Sequence, residues 1–218
     1  MPDPNEFKAP YIKIEDIRAA ADDFRKKHWH SDNLPVDIFE ILEFELNIEV
    51  RTISNLREAG DVDALLLGNL KTIVVDQSDF LNERAQTRLR FSIAHEIGHL
   101  VLHADIFAKI NYSSVEEWIK FFQKIPDDQY TWIEQHAYEF AGRLLVPREK
   151  LIERLNDAVS MAERRGFDAW DSSGESAREY IAHGIARHFA VSGQVIEKRL
   201  VKENLWPPSG KCIHDTPS

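Results

Sequence analysis

One pentapeptide constrains this chain more than any other feature: His95-Glu96-Ile97-Gly98-His99. On an α-helix, residues i and i+4 share a face and lie about 6 Å apart along the axis. Two imidazoles at that spacing can meet one zinc ion at about 2.0–2.1 Å each. Glu96 sits about 100° around the helix from His95. It can reach a metal-activated water without becoming a ligand, the position a general base needs. Leu89, Ile93, Ile97 and Leu100 form an apolar stripe on the same helix, with both histidines off it, so the helix packs down and turns them toward a cleft.

A hydrolytic zinc site has three protein ligands and an open fourth position. The longer motif of one zinc-peptidase class would place Gly at 102 and His at 105, but this chain has Leu102 and Asp105. His103 shares the face of His95, yet on a straight helix it lies about 12 Å along the axis. It is expected to pack beside the site or support it. The third ligand is sought on the helix expected from Tyr130 to Val146, which carries Glu134 and His136 on either side of a stripe of Ile133, Ala137, Phe140, Ala141 and Leu144. Glu134 lies about 60° from the centre of the stripe and His136 about 100° away on the other side. A carboxylate at the edge of a buried face needs a partner. Glu134 is therefore preferred, with His136 facing solvent or serving as the alternative ligand.

The rest of the 218 residues read as α+β. Residues 1–12 are expected as a loose arm. Ile14 to His28 has helical spacing of Ile17, Ala21 and Phe24, and LPVDIFEILEFEL (34–46) gives a second helix with Asp37 near its start. IEVRTI (48–53), DALLLGN (63–69) and KTIVVDQ (71–77) read as short strands, expected to pair antiparallel because their connections are short. KTIVVDQ is one strand that could take an extended peptide by edge pairing. Helices follow at about 82–103, 115–124 and 130–146. After Pro147 come another helix, a loop at WDSSGES (170–176), and two helices broken near Ser192-Gly193. The expected division is an arm, a metal-binding domain over 13–150 and a helical C-terminal part over 151–218.

Composition bounds the partners. The net charge is −10, so DNA or RNA would need a local basic patch. Between His183 and Lys211 there are five Lys/Arg and two acids. That is more simply a solvated helical face than a nucleic-acid interface, so direct nucleic-acid binding is not expected. Cys212 stands alone, so neither an internal disulfide nor a cysteine-rich metal module is available. MPDPNEF has no apolar core of a secretory signal, and no apolar run approaches the ~20 residues of a membrane span. A cytoplasmic protein without a membrane partner is expected.

RLRFSIAHEIGHLVLH (88–103) and IEQHAYEFAGRLLVP (133–147) resemble the ImmA/IrrE family of zinc metallopeptidases. LPVDIFEILEFELNIEV (34–50) and AVSGQVIEKRL (190–200) extend the resemblance. It implies a zincin-like core of small sheet and helices, with His95, His99 and Glu134 as zinc ligands and Glu96 as the catalytic base. It also implies a regulatory endopeptidase whose substrate is a protein such as a helix-turn-helix repressor. A zinc-retaining sensor that cuts nothing is the alternative. The family usually has Asn or Asp where this chain has Tyr138, a position suited to orienting a ligand histidine. Tyr112, Tyr138, Tyr180, His183 and His188 are the candidates for stabilising an oxyanion.

Overall fold

A computed structural model describes residues 2–164 and 175–208. The described residues form two compact units, one of residues up to 32 with 37–144 and one of residues 33–36 with those from 145 onward. Among the described residues no helix is long and apolar enough to cross a membrane.

In the first unit, helix α1 (Ile14–His28) buries Ile17, Ala21 and Phe24, the three positions set by its period. The residues before it are tied down rather than loose. The Phe7 ring meets Phe121 edge-on at 6.4 Å, and the Ala9 N–H donates to Gln129 Oε1 at 2.8 Å. The second expected helix starts later than its pattern suggests. Asp37 caps it by accepting from the N–H groups of Phe39 and Glu40, leaving Leu34 to Val36 outside. A short α-helical turn, α2 (Ile38–Glu40), then widens into a π-helical segment over Ile41–Glu45.

Strands β1 (Glu49–Ile53), β2 (Ala64–Leu66) and β3 (Thr72–Asp76) form a sheet in the order β1-β3-β2, with helix α3 (Leu56–Gly60) between β1 and β2. β2 pairs antiparallel with β3, as expected. β1 pairs parallel with β3, against expectation. The connection from β1 to β3 is not short: it contains α3 and the whole of β2, enough chain to return and run the same way. β3 is therefore central and cannot accept a peptide at its edge. β2 is an edge strand of this sheet, with β3 on one side of it.

A short helix, α4 (Gln77–Phe80), leads to α5 (Gln86–Ile110), the long helix that carries the pentapeptide. Every residue from Ile93 to His99 is buried, so α5 runs through the middle of the unit. It continues beyond the expected end at 103, but bends there: His103 has φ −130° and ψ 15°. Helices α6 (Val115–Phe122) and α7 (Asp127–Leu145) complete the unit. Gly98 sets how closely α5 approaches α7. A Cβ there would lie 3.1 Å from both the Cα and the carbonyl oxygen of Ala137, and 3.3 Å from Phe140 Cβ.

Two ion pairs join α1 to the other side of α7. Arg18 Nε donates to the buried Glu139 at 2.7 Å, and Arg143 Nε bridges both oxygens of Asp22 at 3.0 and 2.9 Å. Burial acts to raise the Asp22 pKa. Arg143 and then Arg25 outweigh it, so the carboxyl titrates below its ordinary value of 3.8.

The second unit contains α8 (Arg148–Arg164), α9 (Glu175–Phe189) and α10 (Gly193–Lys202), with Leu151, Leu155, Ile185, Phe189, Ile196 and Leu200 in its core. The side chain of Ser192 caps α10 by accepting from the Val195 N–H. Arg199, one of the basic residues counted between 183 and 211, is buried and paired with Glu203, so it does not contribute to an exposed face. Residues 170–174 of the expected loop, and Cys212, lie outside the described residues.

Two outcomes test this packing. Gly98→Val should cost about 2–3 kcal/mol by overpacking. Gly98→Ala should stay within about 1 kcal/mol of the parent in chemical denaturation, because better helix propensity offsets the squeeze. Arg143→Met should destabilise by about 2–3 kcal/mol, less than a fully orphaned buried charge because Arg25 still reaches Asp22. Because the folded pKa of Asp22 is depressed, its contribution is complete above the unfolded value and lost as pH falls through the folded one. Asp22→Asn should therefore remove part of the stability loss measured below about pH 4.

Candidate metal centre

The close approach at Gly98 turns the histidine face of α5 toward α7. His95 Nε2 and His99 Nε2 lie 3.0 Å apart. Glu134 presents Oε2 to His95 Nε2 at 3.1 Å and Oε1 to His99 Nε2 at 3.3 Å. His95, His99 and Glu134 thus meet around one point, and among the described residues this is the only His/Cys/Asp/Glu group compact enough to hold a metal ion. Donors at 2.0–2.1 Å around a tetrahedral ion would be separated by about 3.3–3.4 Å, close to the spacing found. Two imidazoles and one carboxylate are a donor set suited to zinc and its first-row neighbours.

The electrostatics point the same way. Burial works against charge on His95, but Glu134 prevails and raises its pKa. Burial likewise works against charge on Glu134, but its bonds to His95 and His99 hold it well below the usual carboxylate range. The carboxylate therefore stays ionised, and the pocket favours positive charge beside it.

Glu96 is buried on the next face of α5. The Leu66 N–H donates to its Oε2 at 2.7 Å. Its Oε1 accepts no hydrogen bond among the described residues. Burial raises its pKa, partly opposed by the histidines, so it is a stronger base than an exposed glutamate. Leu66 is held from both sides, since the Tyr112 hydroxyl donates to its carbonyl at 2.6 Å. In the β2–β3 register, Ala64 and Leu66 point their N–H and C=O groups away from β3. Those of Leu66 are occupied. Those of Ala64 have no hydrogen-bond partner among the described residues, and Ala64 lines a cleft of about 320 Å³. Arg88, Phe91, Trp118, Phe122, Tyr130 and Tyr138 also line it.

The other expectations divide. His103 does not join the three donors. It is 1% exposed and receives no carboxylate; its Nδ1 lies 3.1 Å from His99 Nδ1 and its Nε2 lies 3.3 Å from His136 Nδ1. Burial first, then its histidine neighbours, push its pKa down to about 2, so it is neutral. His136 does not face solvent, as its position on the helical wheel suggested. It is buried against His103 because the bent end of α5 covers that side of α7.

Tyr112 is buried with its hydroxyl committed to Leu66, which removes it as an oxyanion donor. Tyr138 lies on the cleft wall, its ring 4.5 Å from that of His95 in a T-shaped contact and stacked on Phe91. Tyr180, His183 and His188 belong to the second unit and do not line the cleft. Tyr130 was not anticipated. It stands one turn before Glu134 on α7 and lines the same cleft, a placement that the i, i+4 spacing could have revealed.

No curated protein matches the chain. A family model does: the IrrE N-terminal-like domain, a peptidase family, matches residues 80–201, which include α5 and α7 entire. A match over more than half of the sequence, containing both helices that build the cluster, places this chain in the IrrE N-terminal-like peptidase family.

Proposed function

We propose that the protein is a zinc-dependent endopeptidase with His95, His99 and Glu134 as the metal ligands and Glu96 as the catalytic base. The observation that carries this reading is the convergence of His95, His99 and Glu134: the two Nε2 atoms lie 3.0 Å apart and meet the two Glu134 oxygens at 3.1 and 3.3 Å, beside a buried fourth group that remains outside the cluster. Zinc held by His95, His99 and Glu134 would supply Lewis acidity to a water and to the carbonyl to be attacked.

The chain's own groups supply the remainder. The Leu66 N–H fixes Glu96 Oε2, so Oε1 is the oxygen free to take a proton from water in the cleft. The same carboxyl then carries that proton to the departing amine. Ala64 offers one N–H and one C=O to an extended peptide, and the aromatic wall receives its apolar side chains. The substrate is a specific partner protein, such as a helix-turn-helix repressor, and the setting is the cytoplasm. The first assignment follows from the family resemblance and the second from the absence of a visible secretory signal in MPDPNEF.

Freshly prepared protein should hold close to one zinc per chain by elemental analysis. In chelator competition, Glu134→Ala should weaken zinc binding by more than about 100-fold, since it removes a ligand. His136→Ala, which removes none, should cost less than about tenfold. The reverse order would transfer the third ligand to His136.

Glu96→Gln should keep the zinc and the fold, because the amide is nearly isosteric and its side-chain oxygen can still accept from Leu66. Cleavage of the partner should fall by at least about 10²-fold, because the amide is no base at neutral pH. Equal behaviour of wild type and variant in cells that contain the partner would assign the protein to sensing by binding, without proteolysis.

A further inference from the structure

We propose that His103 is a positioning residue of the metal centre: His99, His103 and His136 form a one-way hydrogen-bond relay that holds the His99 ring with its Nε2 lone pair toward the cleft. This inference rests on the assignment of His99 as a ligand.

The relay follows from three distances and the valence of imidazole. If Nε2 of His99 is the ligand atom, a neutral His99 carries its proton on Nδ1. The partner of that Nδ1 is His103 Nδ1, at 3.1 Å. His103 must then accept at Nδ1, which puts its own proton on Nε2. That N–H faces His136 Nδ1 at 3.3 Å. His136 accepts in turn and carries its proton on Nε2. Each ring has one consistent role, and the direction is fixed at the metal end.

The backbone bends to make this possible. His103 lies two turns past His95, and on a straight helix its ring would continue along the face of α5. The non-helical φ and ψ at His103 instead place the ring between His99 and α7, stacked on His136 at 5.5 Å. An imidazole that is 1% exposed and, among the described residues, hydrogen-bonded to two other imidazoles alone is an expensive way to fill space; leucine would do so without desolvating two polar nitrogens. The other ligand histidine has no such support. His95 Nδ1 is buried without a hydrogen-bond partner among the described residues. Orientation through the second nitrogen is therefore concentrated on His99.

The test uses the full chain and zinc alone. His103→Leu removes the acceptor. His103→Asn restores one, because its amide oxygen can occupy the place of Nδ1. Competition with a chromophoric chelator should show a loss of roughly 10–100-fold for His103→Leu and recovery of most of it by His103→Asn. Long-range ¹⁵N correlation spectra of the zinc-loaded wild type should show His103 and His136 as neutral Nε2–H tautomers.

Zinc affinity unchanged in His103→Leu would overturn the relay, as would equal losses in the two variants. So would a His103 carrying its proton on Nδ1, an observation on the wild type that needs neither variant to fold. If the wild type itself takes up no zinc, the ligand assignment fails and the relay falls with it. Zinc uptake by the wild type with no effect of His103→Leu removes the relay alone.

Discussion

Two buried histidines and a buried glutamate stand beside a half-buried second glutamate, and the fold is organised around giving both carboxylates a partner. An unpaired buried charge costs far more than the packing of one side chain can return. Glu134 meets this constraint by reaching both His95 and His99. Glu96 meets it with a backbone N–H from β2. That contact explains why so small a sheet matters, since β2 is a three-residue strand whose Leu66 spends its outward N–H on the site and its outward C=O on Tyr112. The turn after β2 is held just as closely: a Cβ on Gly68 would fall 2.7 Å from the Asn111 backbone, where α5 ends. Sheet, helix end and site are thus one connected piece of structure.

The same logic explains the polar residues on α7. Its apolar stripe packs where the period says it should, with Ile133, Ala137, Phe140, Ala141 and Leu144 all fully buried. Yet His136, Glu139 and Arg143 are buried as well. α7 is enclosed on more than one side, by α5 near Gly98 and by α1 through Arg18 and Asp22. Ion pairs on the α1 side are weak evidence for net stability, but they fix the rotation of α7 about its axis, and that rotation aims Glu134.

These relations decide how much the sequence alone could tell. The pentapeptide, the stripes of α1 and α7, and the three strand segments were all readable, because each is a local pattern with a single period. The direction of β1 was not, because it depends on where the chain goes between Ile53 and Thr72, and the paired residues carry no mark of direction. The burial of His136 was missed for a related reason. A helical wheel assumes one buried face, and a polar residue outside it is assigned to solvent. On a helix covered from two directions, a polar residue can be buried if a partner from another element reaches it, and His103 becomes that partner only because α5 bends at its own position.

Tyr138 shows what such accommodation costs. The family resemblance puts Asn or Asp at this position, either of which could accept from a histidine N–H. In this chain the tyrosine ring lies across His95 and stacks on Phe91, extending the aromatic wall of the cleft. Among the described residues the His95 Nδ1 is left buried without an acceptor, a desolvation cost of roughly 1–3 kcal/mol. A T-shaped ring contact recovers only part of that. The orientation of His95 therefore depends on packing, while that of His99 depends on a chain of hydrogen bonds. An aromatic wall and a hydrogen-bond acceptor for His95 compete for one position on α7, and in this chain the wall holds it.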